Sequence, residues 1–371
     1  MYNIKKTKTI GIILVLLLEI CLAFNSELYS QAVLIVDNNE GSGAEYTSAQ
    51  AAVDAALEGD IIYLQPSPNA YGDIVMSKRL NIFGLAANPE LNNGLRANVN
   101  NLNFRNANSS GSKVSGLSII SVLLDGSSFI NNDIILTNNS IDIIRGNNST
   151  SLANNVIISG NYIRNPNFLS ISVKNSQNWI ISNNLIEQPF TSSSWLSFEE
   201  FNSTTVFNNN IILTRQIPDS NGSIELFNDC TGTQINNNIF IFTAVDVANF
   251  NLGNNSGLNF QNNLTFSFNS TLDALSGSNN IDNQDPLFST FFPNSNLNST
   301  SNDVTFEPGS PALNAGIDGN DLGVFNGGFP FNIRGYPTEL PYIRDFVIFN
   351  NIISPGTNLE VNVKADANIN N

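Results

Sequence analysis

The sequence predicts an all-β fold: a right-handed parallel β-helix with a short N-terminal capping helix and a small C-terminal β-hairpin. The first reason is a repeat. With Asn210 as reference, one frame fits at Leu117, Asn139, Asn161, Asn184, Asn210, Asn238 and Asn263, at spacings of 22, 22, 23, 26, 28 and 25 residues. Three positions before the reference stand Val114, Leu136, Ile158, Ile181, Phe207, Ile235 and Phe260, all apolar. Two positions after it stand Ile119, Ile141, Ile163, Ile186, Ile212, Phe240 and Thr265. A period of this length marks a solenoid, where each repeat buries its apolar side on its neighbours. The second reason is turn chemistry. The residue before the reference is Gly116, Asn138, Gly160, Asn183, Asn209, Asn237 or Asn262, and Gly and Asn tolerate the left-handed backbone of a tight corner. Third, the apolar runs between turns alternate over a few residues, and none is long enough for a helix.

If coils stack about 4.8 Å apart, equivalent Asn side chains bond to one another up the stack and equivalent apolar residues fill a narrow interior. The hand follows that of parallel crossovers. The competing reading, an Asn-rich disordered tract, does not keep apolar residues in phase.

Residues 1–32 read as a secretory signal. Lys5, Lys6 and Lys8 precede the apolar run Ile10–Leu18, and Ser30, Gln31 and Ala32 offer a small-residue cleavage site. The run is short for a membrane span, and Leu18–Cys21 is a poor lipidation motif. A secreted or outer-surface location with no transmembrane span in the mature chain is therefore expected. Residues 33–59 hold a strand, Val33–Val36, and a helix, Ser48–Leu57. Thr47 and Gln50 form a capping box for that helix, Gly59 closes it, and Val53, Ala56 and Leu57 share its apolar face. Such a helix suits the lid that an open solenoid end needs. Residues 60–330 are assigned to the coils, with Phe266, Phe268, Phe288, Phe291 and Phe292 in a wider last coil. In residues 331–371, Tyr342–Phe349 and Leu359–Ala365 pair across Ser354–Asn358. The hairpin reads as a cap on the far end or as a β-sandwich stub for surface attachment.

The stretch Tyr46–Leu64, followed by Tyr71–Ile74 and Leu80–Gly84, resembles the entry to pectin-lyase-like β-helix proteins. Glu307–Gly316 and Asp321–Phe325 resemble a closing segment of secreted β-helix proteins of Bacteroidetes-type bacteria. The resemblance covers residues 33–330. It implies the fold more than an activity, since that superfamily holds lyases, hydrolases, epimerases and binding proteins.

Composition narrows the chemistry. His is absent and the formal charge is −16, which excludes Ser-His-Asp and Cys-His sites and His metal ligands. The acidity also disfavours nucleic acid as a partner. With Cys21 in the leader, Cys230 stands alone in the mature chain.

Functional side chains on a solenoid form outward columns. Taking Ile171/Val173, Leu196/Phe198, Ile224/Leu226, Val245/Val247 and Leu272/Ala274 as inward pairs, the residues between them read Ser172, Ser197, Glu225, Asp246 and Asp273. A neighbouring column reads Lys174, Glu199, Phe227 and Ala248. Glu225, Asp246 and Asp273, about 5 Å apart, would share a proton or hold a cation such as Ca²⁺. With Glu199 and Lys174 they are the candidate catalytic set of a polysaccharide lyase or glycoside hydrolase. The alternative is a solvated acidic face on a non-catalytic scaffold that binds extracellular polysaccharide or mediates adhesion. Arg145, Arg164, Lys174 and Arg215 read as scattered charges, with no cluster fit to neutralise a uronate. Trp179, Trp195, Tyr162 and Phe227 can stack sugar rings if they face outward.

Cleavage after Ala32 is expected on export. Intact-mass measurement of the exported protein should give a chain starting at Val33; a retained leader would overturn this assignment.

Overall fold

A computed structural model describes residues 31–366 apart from residues 86, 89, 91–93, 105, 125–129, 146–151, 165–167, 189–194, 251–253, 338–341, 350–355 and 357. Residues 1–30 of the leader lie outside the described residues. The rest is a parallel β-solenoid. Its first sheet has eleven strands, from Val33–Val36 to Gly277–Ser278, and its second has nine, from Ile74–Val75 to Leu264–Ser267. Shorter pieces form the third side: Ile130–Asn132 with Leu152–Asn154, and Phe168–Ser172 with Trp195–Glu199 and Phe227–Asn228. Every pairing in these sheets is parallel and joins one coil to the next, as in Ile158 to Ile181 to Phe207 to Ile235 to Phe260. That stack is fully buried, as are Ile141, Ile163, Ile186, Ile212 and Phe240 on the second sheet.

The repeated Asn pair divides two tasks between two adjacent residues. The first residue turns the corner: Asn138, Asn183, Asn209, Asn237, Asn262 and Asn279 hold φ between 53° and 58°, and Gly116 and Gly160 hold 76° and 67°. The second residue points inward. Asn210 donates from its side-chain amide to Asn238 Oδ1 at 3.0 Å and to Ile181 O at 3.0 Å. Its own Oδ1 accepts from the Asn184 backbone and side chain, both at 3.0 Å. The same bonds run through Asn139, Asn161, Asn184, Asn238 and Asn263 and reach Asn280, which extends the predicted ladder by one rung. Each carboxamide therefore satisfies backbone groups that the corner leaves unpaired inside an apolar core.

The lid is the helix α1, Ala49–Ala55. Ser48 is its N-cap, accepting from the Ala51 N–H, while Gln50 reaches Asp54 and the Val75 backbone instead of closing a capping box. Its buried face is Ala49, Ala52 and Val53 with Ala56 beyond, and Leu57 is exposed. Three small residues let the helix sit close on the first coils, which moves the buried stripe away from Leu57.

The C-terminal third departs from the expected coil. After Gly277–Ser278 the chain leaves the two large sheets and runs back along the outside. The corner Asn side chains hold it: Asn262 bonds Ala315 O, Asn237 Oδ1 accepts from Ile317 N, and Asn183 bonds Val324 O and Asn326 O. Farther back, Gly335 lies against Ala87 and Pro337 against Gly116. This strap covers the outer face of the second sheet. There Leu185, Ile211, Leu213, Ile239, Ile241 and Leu264 pack on Leu297, Val304, Leu322, Val324 and Phe331 as a second core. Phe266, Phe288, Phe291 and Phe306 join that outer core, so they do not fill a widened coil. The hairpin pairs Tyr342–Ile348 with Val361–Asp366 and, among the described residues, joins no solenoid sheet.

Asn210→Ala should strand the Asn184 amide and the Ile181 carbonyl in the core, at a cost of about 3–5 kcal/mol. Asn155→Gly, in the exposed corner ladder with Asp133 and Asn178, keeps the left-handed backbone at φ 56° and should cost less than about 1 kcal/mol. Urea unfolding midpoints of the two variants check the contrast.

Candidate functional site

The second sheet lines up its outward residues in two columns. One runs Asn98, Ser118, Ser140, Tyr162, Leu185, Ile211. Two residues farther along each strand, the other runs Asn100, Ile120, Asp142, Arg164, Glu187, Leu213. Toward the C-terminal end both columns are apolar and the strap covers them. Toward the N-terminal end they are polar apart from Ile120 and stay open. The open part is a groove of about 480 Å³, floored by these side chains and walled by Pro68 and Ala70, by Asn88 and Glu90, and by Asn296 and Asn298 of the strap.

Asp142, Arg164 and Glu187 follow one another on adjacent coils. Glu187 is fully buried, and four groups converge on it. Tyr162 donates its hydroxyl to Oε1 at 2.5 Å and Arg164 Nε lies 3.1 Å from the same oxygen. The Leu297 N–H donates to Oε2 at 2.7 Å, and an Arg215 nitrogen stands 3.9 Å away. Burial raises the Glu187 pKa; Tyr162, Arg215, Leu297 and Arg164 each pull it back. The same burial raises the Tyr162 hydroxyl and lowers Arg215.

Asp142 differs in its surroundings. It is half-buried in the floor and has no hydrogen bond or ion pair among the described residues. Burial pushes its pKa up to about 6, against the opposing pull of Arg164 and Arg96. A carboxyl of this kind, in a polar groove and without a partner, is a functional-site signature. It can donate a proton or a hydrogen bond near neutral pH.

The predicted carboxylate column does not assemble. On the third side Ser172 pairs with Glu199 and Glu199 with Asn228, not Ser172 with Ser197 and Glu225. Glu225 is exposed beside Leu226 and Phe227, which are both buried. Asp246 sits in a corner at φ 60°, preceded by Val245, 60 % exposed where an inward residue was expected. Asp273 takes its register from the Ala248 carbonyl, which places it opposite Asn249 and out of line with Glu225 and Asp246. Lys174 meets Glu200 at 3.9 Å, not Glu199. Among the described residues no three Asp, Glu or Cys side chains gather closely enough to hold a metal ion. The physical reason is irregular coil length. A bulged corner adds a residue on the third side without disturbing the first two sheets, and each added residue reverses inside and outside.

Of the aromatic candidates, Trp179 and Phe227 are core residues, Tyr162 edges the groove, and the Trp195 side chain lies outside the described residues. Arg164 and Arg215 are not scattered: both converge on Glu187. The repeat frame could have found this site, since Asp142, Arg164 and Glu187 all stand three residues after the reference Asn. Cys230 is buried, and burial pushes its thiol up to about 11, so it is a core residue and no nucleophile.

No protein-family model and no curated protein matches the chain.

The Asp142 shift has a sign. The folded chain holds that proton more tightly than the unfolded chain, whose Asp titrates near 3.8. Its contribution to stability is therefore greatest below about pH 4 and is lost as pH rises through about 6. Glu187 titrates in the same direction. Relative to Asp142→Asn, the parent should lose melting temperature between pH 4 and 6.5 and run parallel above it. Thermal melts across that range check the claim.

Proposed function

We propose that this chain is a secreted or surface-held scaffold that binds an extracellular polysaccharide in the groove of the second sheet. One observation carries the reading: an open groove of about 480 Å³ lined by amide, hydroxyl, guanidinium and carboxyl groups, with an unpartnered acid in its floor. Glycans present closely spaced hydroxyls, and such a lining offers donors and acceptors at several depths without needing a cofactor. Asn98, Ser118 and Ser140 recur at about 4.8 Å, which suits an extended chain of repeating units. The resemblance to secreted pectin-lyase-like proteins and the leader point to the same setting.

Catalysis by a polysaccharide lyase or glycoside hydrolase is the second reading, favoured by the raised pKa of Asp142. A two-carboxylate hydrolase needs a second acid facing the bond; Glu187, in the same column, is sealed beneath Leu297, and Glu90 on the groove wall is held by Thr300 and Ser299. Binding is the better supported of the two.

The test is retention of the mature chain on immobilised cellulose, xylan, pectin, chitin and alginate. Parent protein should be retained on at least one, and Arg96→Gln and Asp142→Asn should each weaken that retention at least tenfold. Equal retention of parent and variants would overturn the groove assignment. Release of soluble oligosaccharides by the parent but not by Asp142→Asn would establish the catalytic reading instead.

A further inference from the structure

We infer that Glu187 is a positioning residue for this groove: it draws Arg164 and Tyr162 to itself and pins the strap, so that Asp142 stands unpaired. The inference rests on the groove reading only for its consequence; the geometry is independent of any ligand.

Arg164 sits between two carboxylates, one coil from each, and it can serve only one of them closely. Its Nε lies 3.1 Å from Glu187 Oε1, and no ion pair joins it to Asp142 among the described residues. Tyr162, in the other column, turns its hydroxyl to the same Oε1. The second oxygen accepts from Leu297 N, whose neighbours Asn296 and Asn298 form the strap's wall of the groove. Arg215 completes the tie, since it reaches Glu187 and also bonds Pro293 O and Ser295 O. One buried carboxylate thus sets the direction of two floor side chains and the height of one wall. A buried charge is costly unless paired and hydrogen-bonded, and with four partners Glu187 is so satisfied. Its negative charge holds Arg164 on the far side from Asp142, where the pull of Arg164, together with that of Arg96, does not overcome the burial of the Asp142 carboxyl. The charged and titratable groups lining the groove around Asp142 are Glu90, Arg96, Tyr162 and Arg164. Of these, Glu90 is occupied by Thr300 and Ser299.

The experiment is a titration of the Asp142 side chain by carbon NMR on protein labelled at the aspartate carboxyl, with Asp142→Asn identifying the signal. In the parent the midpoint should lie near 6. Glu187→Gln keeps the shape and removes the charge, so Arg164 should swing toward Asp142 and the midpoint should fall by at least about one pH unit. Arg164→Gln should raise it by less than that, and in the Arg164→Gln background the effect of Glu187→Gln should largely vanish. Limited proteolysis should cut residues 293–300 faster in Glu187→Gln than in the parent. An unchanged midpoint in folded Glu187→Gln would overturn the inference. If that variant fails to fold, a rise of several pH units in Arg164→Gln would overturn it equally, because Arg164 would then already serve Asp142. Polysaccharide retention is read separately. Its absence would remove the groove's proposed ligand and leave the titration result standing.

Discussion

The hydrogen bond from one inward asparagine to the next underlies everything else in this molecule. A corner between two strands leaves backbone donors and acceptors facing an apolar interior, where an unpaired group costs about 1–3 kcal/mol. The Asn139-to-Asn280 ladder supplies each missing partner from the coil above or below. It therefore ties the position of every corner to that of its neighbours. Once the corners are in line the strands that follow are in register, and outward residues become columns without any further device. Asp142, Arg164 and Glu187 are neighbours in space because Asn139, Asn161 and Asn184 are neighbours in the ladder.

The outward asparagine of each pair does a second job from the same corner. Its left-handed backbone aims the carboxamide away from the core, and the returning strap uses it as a rail of hydrogen bonds. The strap in turn lets the second sheet be apolar on both faces. Pairs such as Ile211/Ile212 and Ile239/Phe240 are buried on opposite sides, as expected of parallel strands covered on both faces. Where the strap stops covering the sheet, the outward residues become Ser, Asn and Asp, with one exposed Ile120 among them, and the groove begins. Site and strap are two ends of one surface.

The repeat was legible because its two positions each meet a strict demand: the corner needs Gly or Asn, and the interior needs an apolar residue at Ile158, Ile181 and Phe207. The helix was legible for the same kind of reason, although Ser48 and not Thr47 caps it. The strap was not. Nothing local in Pro286–Pro337 says that Leu297 and Val324 pack against a sheet formed by strands far earlier in the chain. The doubled apolar residues after each Asn pair were the available signal, since a strand with one wet face would alternate. The column Glu225, Asp246, Asp273 went astray because it was read from the third side, where coil lengths vary and no ladder enforces register.

The amino-acid sequence by itself determined the parallel solenoid, the two sheets that meet at the asparagine corner and the lid at the entry. These follow from interactions between neighbouring repeats, which a period makes visible. Only the tertiary structure decided that Glu187 is sealed while Asp142 is open, two coils apart in the same column. That difference comes from a strap passing over one and not the other. The energy of covering a carboxylate depends on what lies above it, and a one-dimensional pattern does not contain that.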